Sequence, residues 1–289
     1  MLLATCADIP DGDDDEQLGV EALRAAGVDV AFGVWDDPGV DWSAPDLVVV
    51  RSAWDYARRH DDFLAWVGSV PRLANPAPVI AWNTDKRYLG ELAAVGVPVV
   101  PTRWYTPGDN PAVPSGAVVV KPTVSAGARD TRRHDDPAEA GAHVAALLAA
   151  GRDVMIQPYV TSVDTVGETG LVFLSGEFSH AFGKGPLLTA GRHSTSALFA
   201  EEVIAAREPS ARQLEVAQQV LDAVELRGHA HRADLLYARV DLVPGADGEP
   251  LLLELELAEP SLFFAAGHGA AQRWAEAVRT AAVTASARR

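Results

Sequence analysis

The order of strand-like and helix-like segments predicts an α/β N-terminal domain followed by a larger α+β portion. Three observations carry this. Through residue 82, short apolar runs alternate with stretches of helical periodicity, the pattern of a small parallel, Rossmann-like sheet. A proline-rich connector, Asn75-Pro76-Ala77-Pro78, then interrupts the alternation. Beyond it, strands come in neighbouring pairs with turn residues between them, which suits antiparallel hairpins.

In the first part, residues 1–6, 28–35 and 46–51 read as strands, and residues 17–26 and 61–70 as helices. The acidic run Asp11, Asp13, Asp14, Asp15, Glu16 lacks the mid-loop glycine and distal glutamate of a calcium hand. It reads as a solvated loop leading into the first helix. No GxGxxG follows the first strand and no GxxxxGK[ST] occurs, so neither a dinucleotide fold nor a P-loop is implied.

After the connector, Asn83 and Thr84 have the character of N-caps for a helix running to Val95, ended by Gly96 and Pro98. Strands are expected at 117–121, 153–159, 170–174, 178–184, 236–243 and 250–257, and helices at 137–150, 210–226 and 270–285. A Gly-, Ser- and Thr-rich stretch from Gly185 to about Ala200 has the composition of a lid. The expected domains are therefore 1–82, 83–185 and 186–289.

Composition narrows the function. At 48% hydrophobic and 22% charged, 289 residues suffice for a sizeable core. A formal net charge of −16 disfavours nucleic acid and anionic membrane surfaces as partners. No apolar run reaches the roughly 20 residues of a membrane span, and the N-terminus has no basic n-region. Cys6 stands alone, so no internal disulfide can form, and it reads as a small buried apolar residue. A cytoplasmic enzyme is the natural expectation; the oligomeric state, including a homo-oligomer, is left open.

The sharpest chemistry lies in residues 236–257. If Val243 lies opposite Pro250, Arg239 faces Glu254 and Asp241 faces Leu252. One face then presents Arg239, Asp241, Glu254 and Glu256, and the other Val240, Leu242, Leu251, Leu253, Leu255 and Leu257. Three carboxylates crowded with one arginine repel unless a cation joins them, and hard divalent ions take oxygen ligands. A solvated polar sheet face shows the same alternation, so the hairpin alone leaves both readings open.

Three lysines tip the balance. Lys121 ends an apolar strand before Pro122, Lys86 falls in the first turn of a helix, and Lys184 closes a strand before the flexible-looking stretch. A cation in a first helical turn is disfavoured unless it shares an anion with the helix N-terminus. The small residues Ser125-Ala126-Gly127-Ala128 let backbone N–H groups approach phosphate oxygens.

Between Asn83 and Leu262 the order of these motifs resembles the ATP-grasp superfamily, which includes glutathione synthetase and D-alanine–D-alanine ligase and holds ATP between two α+β subdomains. The resemblance implies that Lys86 and Lys121 contact the nucleotide and that Ser125 and Gly127 belong to a loop over the phosphates. Gln157, Pro158, Tyr159 and Val160 resemble the hinge that pairs with adenine, with Asp164 beside the ribose. Arg239 and Lys184 would act on the transferring phosphoryl group, and Asp241, Glu254 and Glu256 would hold Mg2+. Glu256 stands where the family usually has Asn, which adds a negative charge without removing the oxygen ligand.

Val50-Arg51-Ser52-Ala53-Trp54-Asp55-Tyr56, Gly176-Glu177-Phe178-Ser179-His180 and Glu259-Pro260-Ser261-Leu262-Phe263 are more particular. Together they are similar to the cyclo-ligases that close O-ureido-serine to cycloserine and to glutathione-synthetase-like relatives. The implied partner is a small amino-acid-type carboxylate, activated as an acyl phosphate for attack by nitrogen. Candidate substrate contacts are Arg51, Ser52, Asp55 and Tyr56 after the third strand, Arg192 in the lid-like stretch, and Ser261. A two-substrate, dipeptide-forming ligase and a non-catalytic ATP-binding module are the alternatives.

Overall fold

In the computed structural model, residues 1–186 and 203–287 are described. The N-terminal domain holds β1 (Leu2–Thr5), α1 (Asp14–Ala25), β2 (Ala31–Val34), β3 (Val48–Val50), α2 (His60–Ser69) and β4 (Leu73–Ala74). Its four strands are parallel in the order β2-β1-β3-β4, as the alternation requires. Asp13 caps α1 by accepting from the Glu16 N–H at 2.7 Å, and Glu16 returns the bond in a capping box. The acidic run thus ends in the first turn of α1, and Glu16 is buried rather than solvated.

Two short helices follow, α3 (Ala77–Asn83) and α4 (Tyr88–Ala94). The helix expected from Asn83 to Val95 therefore starts only at Tyr88, and Asn83 and Thr84 end α3 instead of opening a helix. Lys86 lies in the link between the two helices, where its N–H donates to the Thr123 carbonyl at 2.9 Å.

A second sheet contains β5 (Arg103–Tyr105), β6 (Val118–Pro122), β7 (Arg132–His134) and β8 (Val154–Pro158), antiparallel in the order β5-β8-β6-β7. Helix α5 (Pro137–Ala149) packs Val144 and Leu148 against Val118, Val120 and Ile156 of this sheet. The short helix α6 (Val163–Val166) leads to the third sheet.

That sheet comprises β9 (Glu168–Leu174), β10 (Glu177–Lys184), β11 (Ile204–Ala206), β12 (Tyr237–Pro244) and β13 (Pro250–Glu256), in the order β11-β10-β9-β12-β13. Because β9 and β10 bond into the same sheet as β12 and β13, the boundary expected after residue 185 cuts through one sheet. The strands, not the chain order, define the structural unit. Helix α7 (Ala211–Leu226), capped by Ser210 and Gln213, covers one face together with α4. Helix α8 (Ala270–Ala287) sends Trp274 and Val278 into a cluster shared with Val20 and Leu23 of α1 and Phe182 of β10.

The hairpin register departs from expectation. Val243 pairs with Leu251 and Pro244 with Pro250, and a bulge at Leu253 then shifts the ladder so that Asp241 faces Glu254 and Arg239 faces Glu256. The four charged residues still share a face, but Leu251 and Leu253 do not belong to the opposite, core face. Leu252 takes that place with Val240, Leu242, Leu255 and Leu257. An extra residue on one strand swaps faces for everything on one side of it.

Candidate active site

A cleft of about 440 Å³ draws its walls from the second and third sheets and from loops of the N-terminal domain, a size suited to a small-molecule site. The hairpin supplies Arg239, Asp241, Glu254 and Glu256, the middle sheet Lys121 and Gln157, and the N-terminal domain Trp54 and Tyr56.

At its centre, Arg239 and Lys184 converge on one carboxylate. Arg239 Nη2 lies 2.9 Å and Lys184 Nζ 3.1 Å from Asp241 Oδ2, with all three residues buried. Arg239 also pairs with Glu256 across the strands. Burial alone would raise the Asp241 carboxyl, but Arg239 and Lys184 outweigh it and hold the group below its usual range. Burial pushes Glu256 up to about 7; Arg239 opposes the rise, while Glu254 and Asp241 add to it.

On the neighbouring side, Lys86 Nζ donates to the Ser125 carbonyl at 2.7 Å and pairs with Glu254 Oε1 at 3.1 Å. Burial disfavours its charge, yet Glu254 more than compensates and raises it. Glu254 in turn is lowered: burial acts against it, and Lys86 and Lys121 prevail. Lys121 is different. Burial lowers its ammonium, and among the described residues it has no ion pair or hydrogen bond.

Ser125 and Gly127 line the cleft beside Lys121, with Gly127 at φ 60° and Ala128 at φ 56° turning the loop toward it. Gln157, Pro158, Tyr159 and Val160 line it as well; the Gln157 amide is held by Thr102 Oγ1 at 3.0 Å. Asp164 does not line this cleft. It accepts from the Tyr159 hydroxyl at 2.5 Å, and the Arg133 guanidinium lies 3.9 Å from the Tyr159 ring centre.

The N-terminal candidates divide. Tyr56 lines the cleft, but Arg51, Ser52 and Asp55 do not. Arg51 is 2% exposed, with Nε 3.2 Å from Glu16 Oε1 and Nη1 donating to the Pro260 carbonyl at 2.9 Å. Ser52 donates to Glu16 at 2.9 Å, and Asp55 accepts from Trp35 Nε1 at 2.8 Å. These three are corrected from substrate contacts to internal supports, because their polar atoms are consumed within the fold. Ser261 lines the cleft, and its carbonyl accepts from Arg239 at 2.9 Å. Arg192 lies outside the described residues.

Sequence reasoning assigned no role to Glu259, which also lines the cleft. Burial and the neighbouring Glu256 push its carboxyl up to about 8. Its signal was its place two residues beyond Glu256-Leu257, at the start of the Glu259-Pro260-Ser261 phrase. His180 is buried with Nε2 2.7 Å from the Leu262 carbonyl, a satisfied structural histidine.

Asp241, Glu254 and Glu256 offer the hard oxygen donors that magnesium prefers, adjacent on one strand pair. Here their carboxylates are engaged by Lys184, Arg239 and Lys86, and among the described residues no three His, Cys, Asp or Glu side chains gather as a metal cage. Their donor chemistry is of the kind the ion takes. Among the described residues no helix is long and apolar enough to cross a membrane.

The three-sheet architecture is that of ATP-grasp ligases. D-alanine–D-alanine ligase from Bacillus anthracis aligns over 100% of this chain and 99% of its own with a TM-score of 0.66 at 11% identity. The ATP-grasp ligase PsnB aligns over 97% and 98% with a TM-score of 0.63 at 22% identity. At those identities the likeness establishes the fold. The cycloserine biosynthesis protein DcsG of Streptomyces lavendulae is 41% identical over 278 residues, covering 90% of this chain and 91% of the relative.

This chain belongs to the DcsG family of ATP-grasp ligases. The model for the N-terminal domain of D-cycloserine synthetase DcsG matches residues 1–75. The crystal structure of D-cycloserine synthetase DcsG superposes with a TM-score of 0.86 at 39% identity, over 97% of this chain and 99% of that one. As a DcsG-family member the protein is a ligase, and its fold implies ATP as the energy source.

Proposed function

We propose that this DcsG-family ligase activates the carboxylate of a small amino acid as an acyl phosphate and closes it intramolecularly, taking O-ureido-serine toward cycloserine. The observation that carries the reading is the buried Arg239–Asp241–Lys184 cluster, two cations on one carboxylate, in a cleft shared with the uncommitted Lys121. Such a cluster places two cations where an anion entering the cleft can exchange with their carboxylate partners.

Lys86 and Lys121 would receive the nucleotide phosphates, the loop from Ser125 to Gly127 would close over them, and the segment from Gln157 to Val160 would meet the adenine. Arg239 and Lys184 would neutralise the transferring phosphoryl group as a substrate carboxylate oxygen attacks the γ-phosphorus and ADP departs. Asp241, Glu254 and Glu256 would hold magnesium, which when bound offsets phosphate charge. The same two cations then stabilise the oxyanion formed as the ureido nitrogen attacks the acyl carbon and phosphate leaves. In that product the ring nitrogen still carries its carbamoyl group, so one water is needed to release it as carbamate and leave cycloserine.

The reading is tested by phosphate release from ATP and magnesium, with ureido-, aminooxy- and hydroxamate-type serine derivatives offered alone and in pairs with amino acids. Release with O-ureido-serine alone supports ring closure. Release only with a pair makes the protein a two-substrate ligase, and no release with any of them contradicts the reading.

A further inference from the structure

The loop after β13 is fastened by its backbone and leaves one carboxylate free. The Glu259 carbonyl accepts from Trp54 Nε1 at 3.1 Å, the Pro260 carbonyl from Arg51 at 2.9 Å and the Ser261 carbonyl from Arg239 at 2.9 Å. Three successive carbonyls are thus pinned by three side chains. Glu254 is tied to Lys86 and Glu256 to Arg239, whereas the Glu259 side chain has no ion pair or hydrogen bond with any described residue.

Tyr56 lines the same cleft and is 2% exposed. Its ring packs on Phe63 at 5.1 Å between centroids, yet its hydroxyl has no hydrogen-bond partner among the described residues. Both groups line the cleft without partners among the described residues, on a buried Tyr56 and a half-buried Glu259, so a ligand in the cleft can complete them. Once ionised the carboxylate only accepts, so the partner that completes it is a donor, and a cation, which also favours the ionised form, suits it best.

We infer that Glu259, seconded by the Tyr56 hydroxyl, binds the ammonium group of the substrate and so selects amino acids over other carboxylic acids. Arg51 and Trp54 are positioning residues that act through the loop backbone. The inference rests on the reading of this chain as an amino-acid-activating ligase. It accounts for the buried Arg51, whose guanidinium is spent on holding Pro260 in place.

The test is steady-state ATP turnover with O-ureido-serine and with its 2-hydroxy analogue, for the wild type, Glu259→Gln and Tyr56→Phe, with ATP affinity read separately by calorimetry. The wild type should prefer the amino substrate by about 10- to 100-fold in kcat/KM, the size expected of a charge-assisted hydrogen bond. Glu259→Gln should raise the KM for O-ureido-serine by a similar factor, keep its ATP affinity and lose the preference. Tyr56→Phe should move the same KM in the same direction. A wild type that uses both compounds equally overturns the inference even if a variant fails to fold, as does a Glu259→Gln enzyme with unchanged KM and preference. A wild type inactive with O-ureido-serine overturns the functional reading itself, and the inference with it.

Discussion

Nζ of Lys184 stands 3.1 Å from Oδ2 of Asp241, the same oxygen that Arg239 reaches at 2.9 Å, and neither partner of this pair is more than 6% exposed. One carboxylate thus serves two buried cations. Asp241→Asn keeps the shape but removes a charge that both cations pair with, while Arg239 keeps Glu256. We expect it to lower stability by about 3–5 kcal/mol, the scale for removing one member of a buried ion-pair network, and turnover by about 100-fold or more. Denaturant unfolding and phosphate release measure the two effects; a stable variant with normal turnover contradicts the arrangement.

Lys121 carries the opposite expectation. Its ammonium is buried without a described partner, so its charge opposes folding at neutral pH until an anion arrives. Lys121→Met should raise the melting temperature of the nucleotide-free protein while weakening ATP binding by about 10-fold or more. Calorimetry and thermal unfolding in the same buffer decide it: a lower melting temperature with unchanged ATP affinity would show that Lys121 is structural.

The pair of Arg51 and Glu16 ties the N-terminal domain to the loop at Pro260. Since each is at most 3% exposed, Arg51→Met should cost about 3–5 kcal/mol by stranding Glu16. The double variant Arg51→Met, Glu16→Leu should recover a large part of that loss, measured as the coupling in a double-mutant cycle. Additive losses would mean that the two do not act as a pair.

Acid sensitivity should report on His143, which lies 3.0 Å from His134 in the packing of α5 against β7. Burial, then Arg132, lowers it from 6.5 to about 4. Above pH 6.5 both folded and unfolded forms are neutral there. Below it the unfolded chain takes up the proton first, so stability falls as pH drops from 6.5 toward 4. His143→Gln should flatten that part of the stability profile, and an unchanged slope would show that other groups dominate.

The charged face of the hairpin was legible because strand periodicity places Arg239 with Asp241 and Glu254 with Glu256 whatever the pairing. The bulge at Leu253 was not legible: its position is decided by how the turn at Pro244–Pro250 closes, which side-chain pattern does not encode. The helix α3 and the late start of α4 were hidden because Asn83-Thr84 read as the N-cap of one helix running to Val95, after a proline-rich connector. Both Asn83 and Thr84 instead serve the end of α3, and the Asn83 amide donates to the Leu255 carbonyl at 2.8 Å. Arg51 was legible as unusual but not in its role, since Glu16 and Pro260 are 35 and 209 residues away in the chain. The edge strands β5, β7 and β11 have three residues each, too few to show a period.

The most direct measurement is isotope transfer from a substrate labelled with 18O in its carboxylate. If the carboxylate oxygen attacks ATP and later leaves with phosphorus, the released phosphate carries one 18O for each turnover. That is the result expected here. Unlabelled phosphate formed at the rate of product would mean that no acyl phosphate forms, and would contradict the account.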